Sequence, residues 1–465
     1  MKLKSLLLTS LVALALGACS SNEEATSVDK TAQKNALLTV NLAFPQNASS
    51  RTVNEGTPAE QNVQTITLRI HYTAGAVGAT GVPSDIVAQF TPSQWTKGSL
   101  NANKEMPYGL TKIEVYPGTA TVFATINSTT QVGTTNGTTD MVTTTSYTSL
   151  DALETGTNVA GTTGTGDSKV GNFIMTGQKD AVTITANQEN YITEADPLKV
   201  DRIAAKLDEI SKKEFVLDDA ANITVIGDDG AEVKGDAKTA DLTVQLEAFS
   251  FVNLNNQSYL FKQTNAFAPT AAAGYLYYFK AQAVTTKVPT NAPVTEWKNI
   301  VNTTSGNTNT SVTYCYENAP IVEKADFPAA TLIVYKAKFK ALTGNFYVIE
   351  KNGKKTLYTS FAALDAANNN GYSKGYGLSD TSDAATFYAD GVTKYMAGEC
   401  YYTSPVKTDG VAKIARNNWY KINVTKINTI GGNYVDVPNP PSNSTWLTVN
   451  ILVEPWTIQP NDINL

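Results

Sequence analysis

Histidine occurs once in 465 residues and cysteine three times, and these two scarcities remove most of the catalytic chemistry open to a chain of this length. A Ser-His-Asp triad or a Cys-His pair has only His71 to draw on, and His71 alternates with Leu68, Ile70 and Tyr72 in a strand pattern that turns it to solvent. Cys315 and Cys400 lack CxxC spacing and a histidine neighbour, which argues against zinc. They form one disulfide if the fold brings them together in an oxidising compartment, or remain isolated buried thiols; the residues leave both open. Charge is sparse as well, at 17% with a formal net charge of −6 and no basic cluster, so nucleic acid is excluded as a partner. Gly353-Lys354-Lys355-Thr356 lacks the upstream glycine of a phosphate loop. The pairs Asp218-Asp219 and Asp228-Asp229-Gly230 read as turns between short strands rather than as calcium ligands or acid-base pairs. Carboxylates are plentiful enough that counting does not eliminate a glycosidase pair, yet nothing points to one. The expectation is a non-enzyme with no cofactor and no metal.

What the chain does have begins at its first residue. Lys2 and Lys4 precede an apolar stretch from Leu6 to Leu16 that is too short to cross a bilayer, and Leu16-Gly17-Ala18-Cys19 follows. Small residues before a cysteine are what a lipoprotein signal peptidase requires, and Cys19 would carry the acyl chains. Residues 1–18 therefore read as a cleaved signal. The acidic tract Ser20-Ser21-Asn22-Glu23-Glu24 resembles the surface-export tether of Bacteroidetes lipoproteins. No later apolar run has membrane-spanning length, so membrane contact is through the lipid of the precursor alone.

From Ala36 to Phe44 the side chains Leu38, Val40, Leu42 and Phe44 alternate with Thr39, Asn41 and Ala43, which is a strand with one buried face. Pro45 to Ser50 breaks it, and Arg51 follows, the first arginine of the chain. A small, polar loop with one basic residue suits a trypsin-like cut; by the residues alone a plain surface arginine is the simpler reading. Further strands are expected at 65–72, 112–116 and 119–127, the last two as a hairpin through Pro117 and Gly118, and at 172–176 and 181–186. Residues 128–171, rich in threonine and glycine, read as a long loop with a short helix near 149–153. The segment 198–210 fits helix and strand equally well. Strands resume at 215–217, 222–226, 241–251, 275–279, 331–339, 345–350, 400–402, 419–427 and 446–455. Many short strands at such spacing indicate two β-sandwich domains, divided at 257–258.

Two late tracts resemble a known family. Arg416-Asn417-Asn418-Trp419-Tyr420-Lys421-Ile422-Asn423-Val424 with Ile427 and Gly431, and Leu447-Thr448-Val449-Asn450-Ile451-Leu452-Val453-Glu454-Pro455-Trp456, are similar to the late strands of the type V fimbrial shaft subunits of Bacteroidales, of the FimA and Mfa type, most closely the Mfa branch. Weaker echoes are Val122 to Asn127 and Phe173 to Gly177, and the middle loops match poorly. The resemblance implies an all-β fold of two transthyretin-like sandwiches with long loops and few short helices, and it makes 198–207 a strand. It also implies an assembly route in which the lipidated precursor is cut between Arg51 and Thr52 and the strand bearing Leu38, Val40, Leu42 and Phe44 leaves. Lys30 and Lys34 are alternative basic sites.

Loss of four such side chains from a core forfeits about 6–12 kcal/mol, comparable with the net stability of a whole domain, about 5–15 kcal/mol. The groove left behind suits a strand from another copy. The expected donor is the tract 446–465, through Val449, Ile451 and Val453, extended by Trp456, Ile458, Ile463 and Leu465. Head-to-tail repetition of that contact does not close and gives a filament. The expected domains are thus 1–18 signal, 19–51 lipidated propeptide, 52–257 and 258–465. The expected partners are further copies of the chain, accessory anchor and tip subunits, a trypsin-like surface protease, and host or bacterial receptors, on a surface fimbria whose precursor is an outer-membrane lipoprotein. The alternative is an anchored lipoprotein that captures glycans on tyrosine and tryptophan platforms, the 22 tyrosines suiting either.

Overall fold

The computed structural model describes residues 33–44, 63–72, 84–99, 106–127, 141–143, 173–255, 257–262, 277–278, 294, 297–300, 302–303, 306–307, 312–318, 330–435 and 446–455. Up to residue 202 the main strands are β1 (Ala36–Phe44), β2 (Ile66–Tyr72), β3 (Asp85–Phe90), β4 (Trp95–Lys97), β5 (Met106–Leu110), β6 (Ile113–Val115), β7 (Gly118–Ile126), β8 (Met175–Ile184), β9 (Glu189–Ile192), β10 (Leu198–Lys199) and β11 (Asp201–Arg202). One sheet runs β9-β1-β5-β4, with β6 and β10 also paired to β1; the other runs β11-β8-β7-β2-β3. Leu38, Val40, Leu42 and Phe44 of the first meet Ile66, Leu68, Ile70 and Val122 of the second in one core, so the two sheets face each other as a sandwich.

Local chemistry altered two expectations here. The strands at 113–115 and 118–126 are not a hairpin: β6 pairs with β1, whereas β7 pairs with β2 and β8. Pro117 and Gly118 (φ 141°) carry the chain from one sheet to the other. The two strands expected at 172–176 and 181–186 are one, β8, interrupted where Ala181 takes φ +55° and the register against β7 shifts between Ala120 and Val122. One extra residue on one side of a ladder is a β-bulge, which bends the strand without ending it.

From residue 204 onward the main elements are β12 (Ala204–Glu209), β13 (Glu214–Val216), β14 (Ile223–Ile226), α1 (Gly235–Asp241), β15 (Thr243–Val252), β16 (Val312–Tyr316), β17 (Leu332–Phe339), β18 (Phe346–Lys351), β19 (Lys354–Tyr358), α2 (Phe361–Ala367), α3 (Gly371–Lys374), α4 (Ala384–Ala389), β20 (Thr393–Tyr395), β21 (Glu399–Pro405), β22 (Asn418–Ile427) and β23 (Leu447–Pro455). They build sheets β16-β12-β22-β23, β13-β15-β17-β21 and β14-β19-β18-β20. The fold is mainly β with few, short helices. Leu207, Leu246, Tyr335, Tyr402, Tyr420 and Ile422 lie in the second core. The helices follow local capping signals: Ser360 Oγ accepts from the Ala363 amide at 3.1 Å to start α2, and Asp383 Oδ1 accepts from the Thr386 amide at 2.7 Å to start α4.

The last residue of the first core is Val200, and the second, which also takes in Phe123, Phe173 and Ile174, draws the rest of its residues from Ile203 onward. The strands from 204 to 252 thus pack with the C-terminal sheets, whereas the sequence reading divided the chain at 257–258. The segment 198–207, ambiguous in its periodicity, is three short strands. Gly353-Lys354-Lys355-Thr356 belongs to the β18–β19 hairpin: Asn352 and Gly353 form its two-residue turn with φ of 53° and 73°, as a type I′ turn requires. Asp228-Asp229-Gly230 is likewise a turn, with Gly230 at φ 77° and Asp229 Oδ1 accepting from the Ala231 amide at 3.0 Å. The helix expected near 149–153 lies outside the described residues.

Candidate functional site

Strand β1 holds a position unlike any other in the first sheet. It is nine residues long, and four shorter segments pair with it: β9 in parallel along Leu37–Val40, β10 in parallel along Leu42–Ala43, β6 in antiparallel along Ala36–Leu38 and β5 in antiparallel along Asn41–Phe44. Among the described residues, β6, β9 and β10 have no other ladder partner in this sheet. The sheet is therefore assembled through β1, and without it only the β4–β5 pair survives. The period-2 pattern places Leu38, Val40, Leu42 and Phe44 in the core at 1% exposure or less. Ala36 joins them, and the Phe44 ring meets Tyr108 edge-on at 4.9 Å. Burial pushes the Tyr108 hydroxyl up to about 12.

The polar residues of β1 tie it to its neighbours. Asn41 Nδ2 donates to Ile192 O at 2.9 Å, where β9 ends and the ladder has not yet passed to β10. Asn190 Nδ2 donates to Leu37 O at 3.2 Å, and the Leu37 amide donates to Gln188 O at 3.1 Å. Lys112 and Glu189, which flank β1 on opposite edges, pair across it at the surface. That contact raises the lysine's pKa and lowers the glutamate's through the hydrogen bond between them. Neither asparagine carries a sequence signal, since a polar residue on the outward side of a strand is unremarkable until its partner is seen.

Strand β23 is the counterpart at the other end of the chain. It lies antiparallel to β22 over nine residues, from Leu447 opposite Ile427 to Pro455 opposite Asn418, with a bulge between Val424 and Lys426. Among the described residues it is an edge strand with one partner. Val449, Ile451 and Val453 face the second core and are only half-buried, and Leu452 on the outer face is 52% exposed. Beside their inner face runs an open cavity of about 500 Å³, walled opposite by Ser404, Pro405, Lys407, Asp409 and Gly410. Trp456, Ile458, Ile463 and Leu465 of the expected donor tract lie outside the described residues, as do Cys19, Arg51 and Thr52 of the expected processing sites. The two described parts of the assembly reading, β1 and β23, belong to different cores.

The motif Arg416-Asn417-Asn418 sits where the two cores adjoin. Arg416 is buried against Glu317, with Nε 3.0 Å from Oε2, and its guanidinium also donates to Tyr259 O at 2.7 Å and Leu260 O at 3.2 Å. A buried ion pair in which each guanidinium nitrogen has a hydrogen-bond partner is tolerable where a lone arginine is not. Asn417 takes the left-handed conformation, φ +57°, and its side chain bonds Asp201 and Arg202.

The other candidates stand apart from β1 and β23. His71 is half-buried rather than solvent-facing: its Nδ1 lies 2.9 Å from Asp85 Oδ1, which also accepts from Arg69 Nε at 2.7 Å. Strands β3 and β7 pair with the two edges of β2, and its residues are buried on both faces apart from the half-buried His71. Burial by itself would raise the Asp85 carboxyl, but hydrogen bonds from Arg69, His71 and Ser84 hold it below its ordinary value. Cys315 and Cys400 are free thiols and form no disulfide. They lie on β16 and β21, strands of different sheets, and Cys400 Sγ instead meets Tyr402 OH at 3.7 Å. Burial pushes the Cys315 thiol up, and Cys400 to about 12. Tyr316, Tyr335, Tyr347, Tyr402 and Tyr420 are fully buried and offer no platform for a ligand. Among the described residues no group of three or more His, Cys, Asp or Glu is placed to hold a metal ion.

Residues 393–462 match the family described as major fimbrial subunit protein type IV, fimbrillin, C-terminal. The match names the family and no branch of it. No curated protein matches the chain. Among solved structures the chain is similar to a candidate cell adhesion protein of Parabacteroides distasonis ATCC 8503, at 15% identity over 90% of this chain and 99% of that one, with a TM-score of 0.45. It is also similar to the fimbrilin FimA of Porphyromonas gingivalis W83, at 17% identity over 92% and 99% with a TM-score of 0.40. A third is the C-terminally truncated tip fimbrial protein Mfa3 of Porphyromonas gingivalis, at 10% identity over 90% and 99% with a TM-score of 0.37.

Proposed function

We propose that this chain, whose residues 393–462 match the fimbrillin C-terminal family, is a structural subunit of a cell-surface fimbria that is exported as a lipoprotein precursor and polymerises by strand exchange. The observation that carries the proposal is the setting of β1: one strand, central in its sheet, through which four otherwise separate segments are joined. Such a strand cannot slip out of a continuous chain. Once the chain is cut after Arg51, the same strand becomes a separate peptide, and whatever replaces it must supply alternating apolar side chains and a backbone for both edges of the groove. Strand β23 supplies the alternation through Leu447, Val449, Ile451 and Val453 and, among the described residues, pairs with β22 alone.

In this reading Cys19 anchors the precursor, a trypsin-like surface protease cuts between Arg51 and Thr52, and each subunit donates the tract 446–465 to the groove of the next. The units of the mature protein are then a socket body ending near residue 202 and a C-terminal body beginning near 203. Accessory anchor and tip subunits bound the filament, and it supports adhesion to host or bacterial receptors. The test is limited trypsin treatment of the purified, lipid-free precursor. The expected product begins at Thr52 and forms ladders or fibres visible by electron microscopy. A product that begins at Thr52, keeps its C-terminus and stays monomeric sinks the reading. Deletion of Trp456 to Leu465 is expected to leave a folded subunit that does not polymerise.

A further inference from the structure

The first strand and the last are joined through a short run of the chain. Strand β10 pairs with β1 at Leu42 and Ala43, and the Val200 amide donates to Ala43 O at 3.0 Å. The next two residues, Asp201 and Arg202, are gripped by Asn417: its Nδ2 donates to Asp201 Oδ1 at 3.2 Å, and its Oδ1 accepts from the Arg202 amide at 3.4 Å and from Arg202 Nη1 at 3.3 Å. The Asn417 amide in turn donates to Ala204 O at 2.8 Å. Asn418 then opens β22 and stands opposite Pro455, the last paired residue of β23. Hydrogen bonds through Val200, Asp201, Arg202 and Asn417 thus lead from the acceptor Ala43 O to Pro455, the last paired residue of β23 among the described residues.

The packing gives this run a direction in which to move. On one side β8 lies close against it: a Cβ added at Gly177 would meet Lys199 O at 2.1 Å and Leu198 Cδ2 at 2.6 Å. On the other side lies β1, the only ladder partner of β10 among the described residues. If β1 leaves, residues 198–200 lose a ladder, the Val200 amide loses its acceptor, and the buried Leu198 and Val200 lose neighbours in the core. The free volume opens toward the vacated groove and away from Gly177.

We propose that Asn417 couples the two strands, so that emptying the β1 groove loosens the Pro455 end of β23 and a subunit frees its C-terminal strand only after its own first strand has gone. This rests on the reading that β1 leaves and β23 is donated. The coupling keeps an unprocessed precursor from offering a plug, which a filament grown only from processed subunits requires. Coupling between sites demands a demonstrated change at one when the other is altered.

The experiment is amide hydrogen exchange on the chain from Ser20 onward, carrying a site-specific protease sequence in place of residues 46–51, measured intact and after cutting and removal of the first segment. If the nicked strand stays bound, Leu38→Asp with Leu42→Asp expels it. Emptying the groove is expected to speed exchange at Leu452 to Glu454 by about tenfold. Asn417→Gly keeps the left-handed backbone, which glycine adopts freely, and removes the side-chain bonds; it is expected to abolish the difference between the intact and emptied forms. Asp201→Ala should do so in part. Unchanged exchange at β23 on emptying, or a change that persists in Asn417→Gly, overturns the coupling. The same emptied protein is offered a synthetic peptide of residues 446–465, whose uptake reports on strand exchange itself whatever β23 does, so the two readings fail separately.

Discussion

Strands β1 and β23 have the same length and the same apolar alternation, yet the fold holds them in opposite ways. The core-facing side chains of β1 are sealed and both of its edges are paired; those of β23 are half-wet beside an open cavity, and one of its edges has no ladder partner among the described residues. Tertiary setting, rather than sequence, decides how firmly a strand is held. Under the proposed strand exchange, the contrast also sets what each strand needs in order to leave. Extracting β1 exposes about 6–12 kcal/mol of apolar contact and breaks ladders on two sides, so it needs a covalent cut and a replacement. Freeing β23 breaks one ladder and exposes surface that is partly exposed already.

Point substitutions probe the contrast most strongly. Leu42→Ala is expected to cost about 2–5 kcal/mol in a urea unfolding midpoint, as for a sealed core leucine. Ile451→Ala should cost no more than about 1–2 kcal/mol, because part of its surface is solvated in the native state. Equal losses at the two sites would erase the distinction. Next comes Asn41→Ala, expected at about 1 kcal/mol for the bond to Ile192 O that bridges β9 and β10. A loss as small as that of an outward surface residue would mean the bridge is idle.

Acid should weaken the first core through Asp85. Its pKa in the fold is depressed, so its contribution is full above the ordinary carboxylate value near 4 and is lost as pH falls below that value through the depressed one. Thermal melts between about pH 7 and pH 3 should show this pH-dependent loss shrink in Asp85→Asn, which has no carboxylate there to titrate. An unchanged acid profile in the variant would rule Asp85 out. Smallest of all is Leu452→Ser on the exposed face of β23, expected within about 0.5 kcal/mol for the monomer. A large monomer defect there would show that β23 is covered in the isolated chain.

The strand from Ala36 to Phe44 was legible in full because period-2 alternation ends at Pro45, and β23 was legible for the same reason. The four segments around β1 were not. Strands as short as β10 and β11 carry no periodicity, and a strand gives no sign of which neighbour it will pair with; Pro117 and Gly118 mark a turn equally well within a sheet or between sheets. The stretch between Val200 of the first core and Ile203 of the second carries no proline- or glycine-rich linker that a sequence reading could mark. Helices α2 and α4 went unread, although Ser360 and Asp383 are ordinary N-cap signals. The Arg416-Asn417-Asn418 motif stood out in the sequence only by resemblance, and its contacts with Glu317, Leu260 and Asp201 explain it.

The pairing of β1 along both edges bears on mechanical strength. A strand seated where β1 sits and pulled along its own axis loads all of its hydrogen bonds in shear, so they must fail together. Strand β23, drawn away from β22 at its Pro455 end, opens like a zipper, one pair at a time. With Cys315 and Cys400 unpaired, no covalent cross-link between them shares the load. A polymer built by moving a strand from the zipper setting to the shear setting gains tensile strength from geometry alone, using the same backbone bonds turned through a right angle to the force.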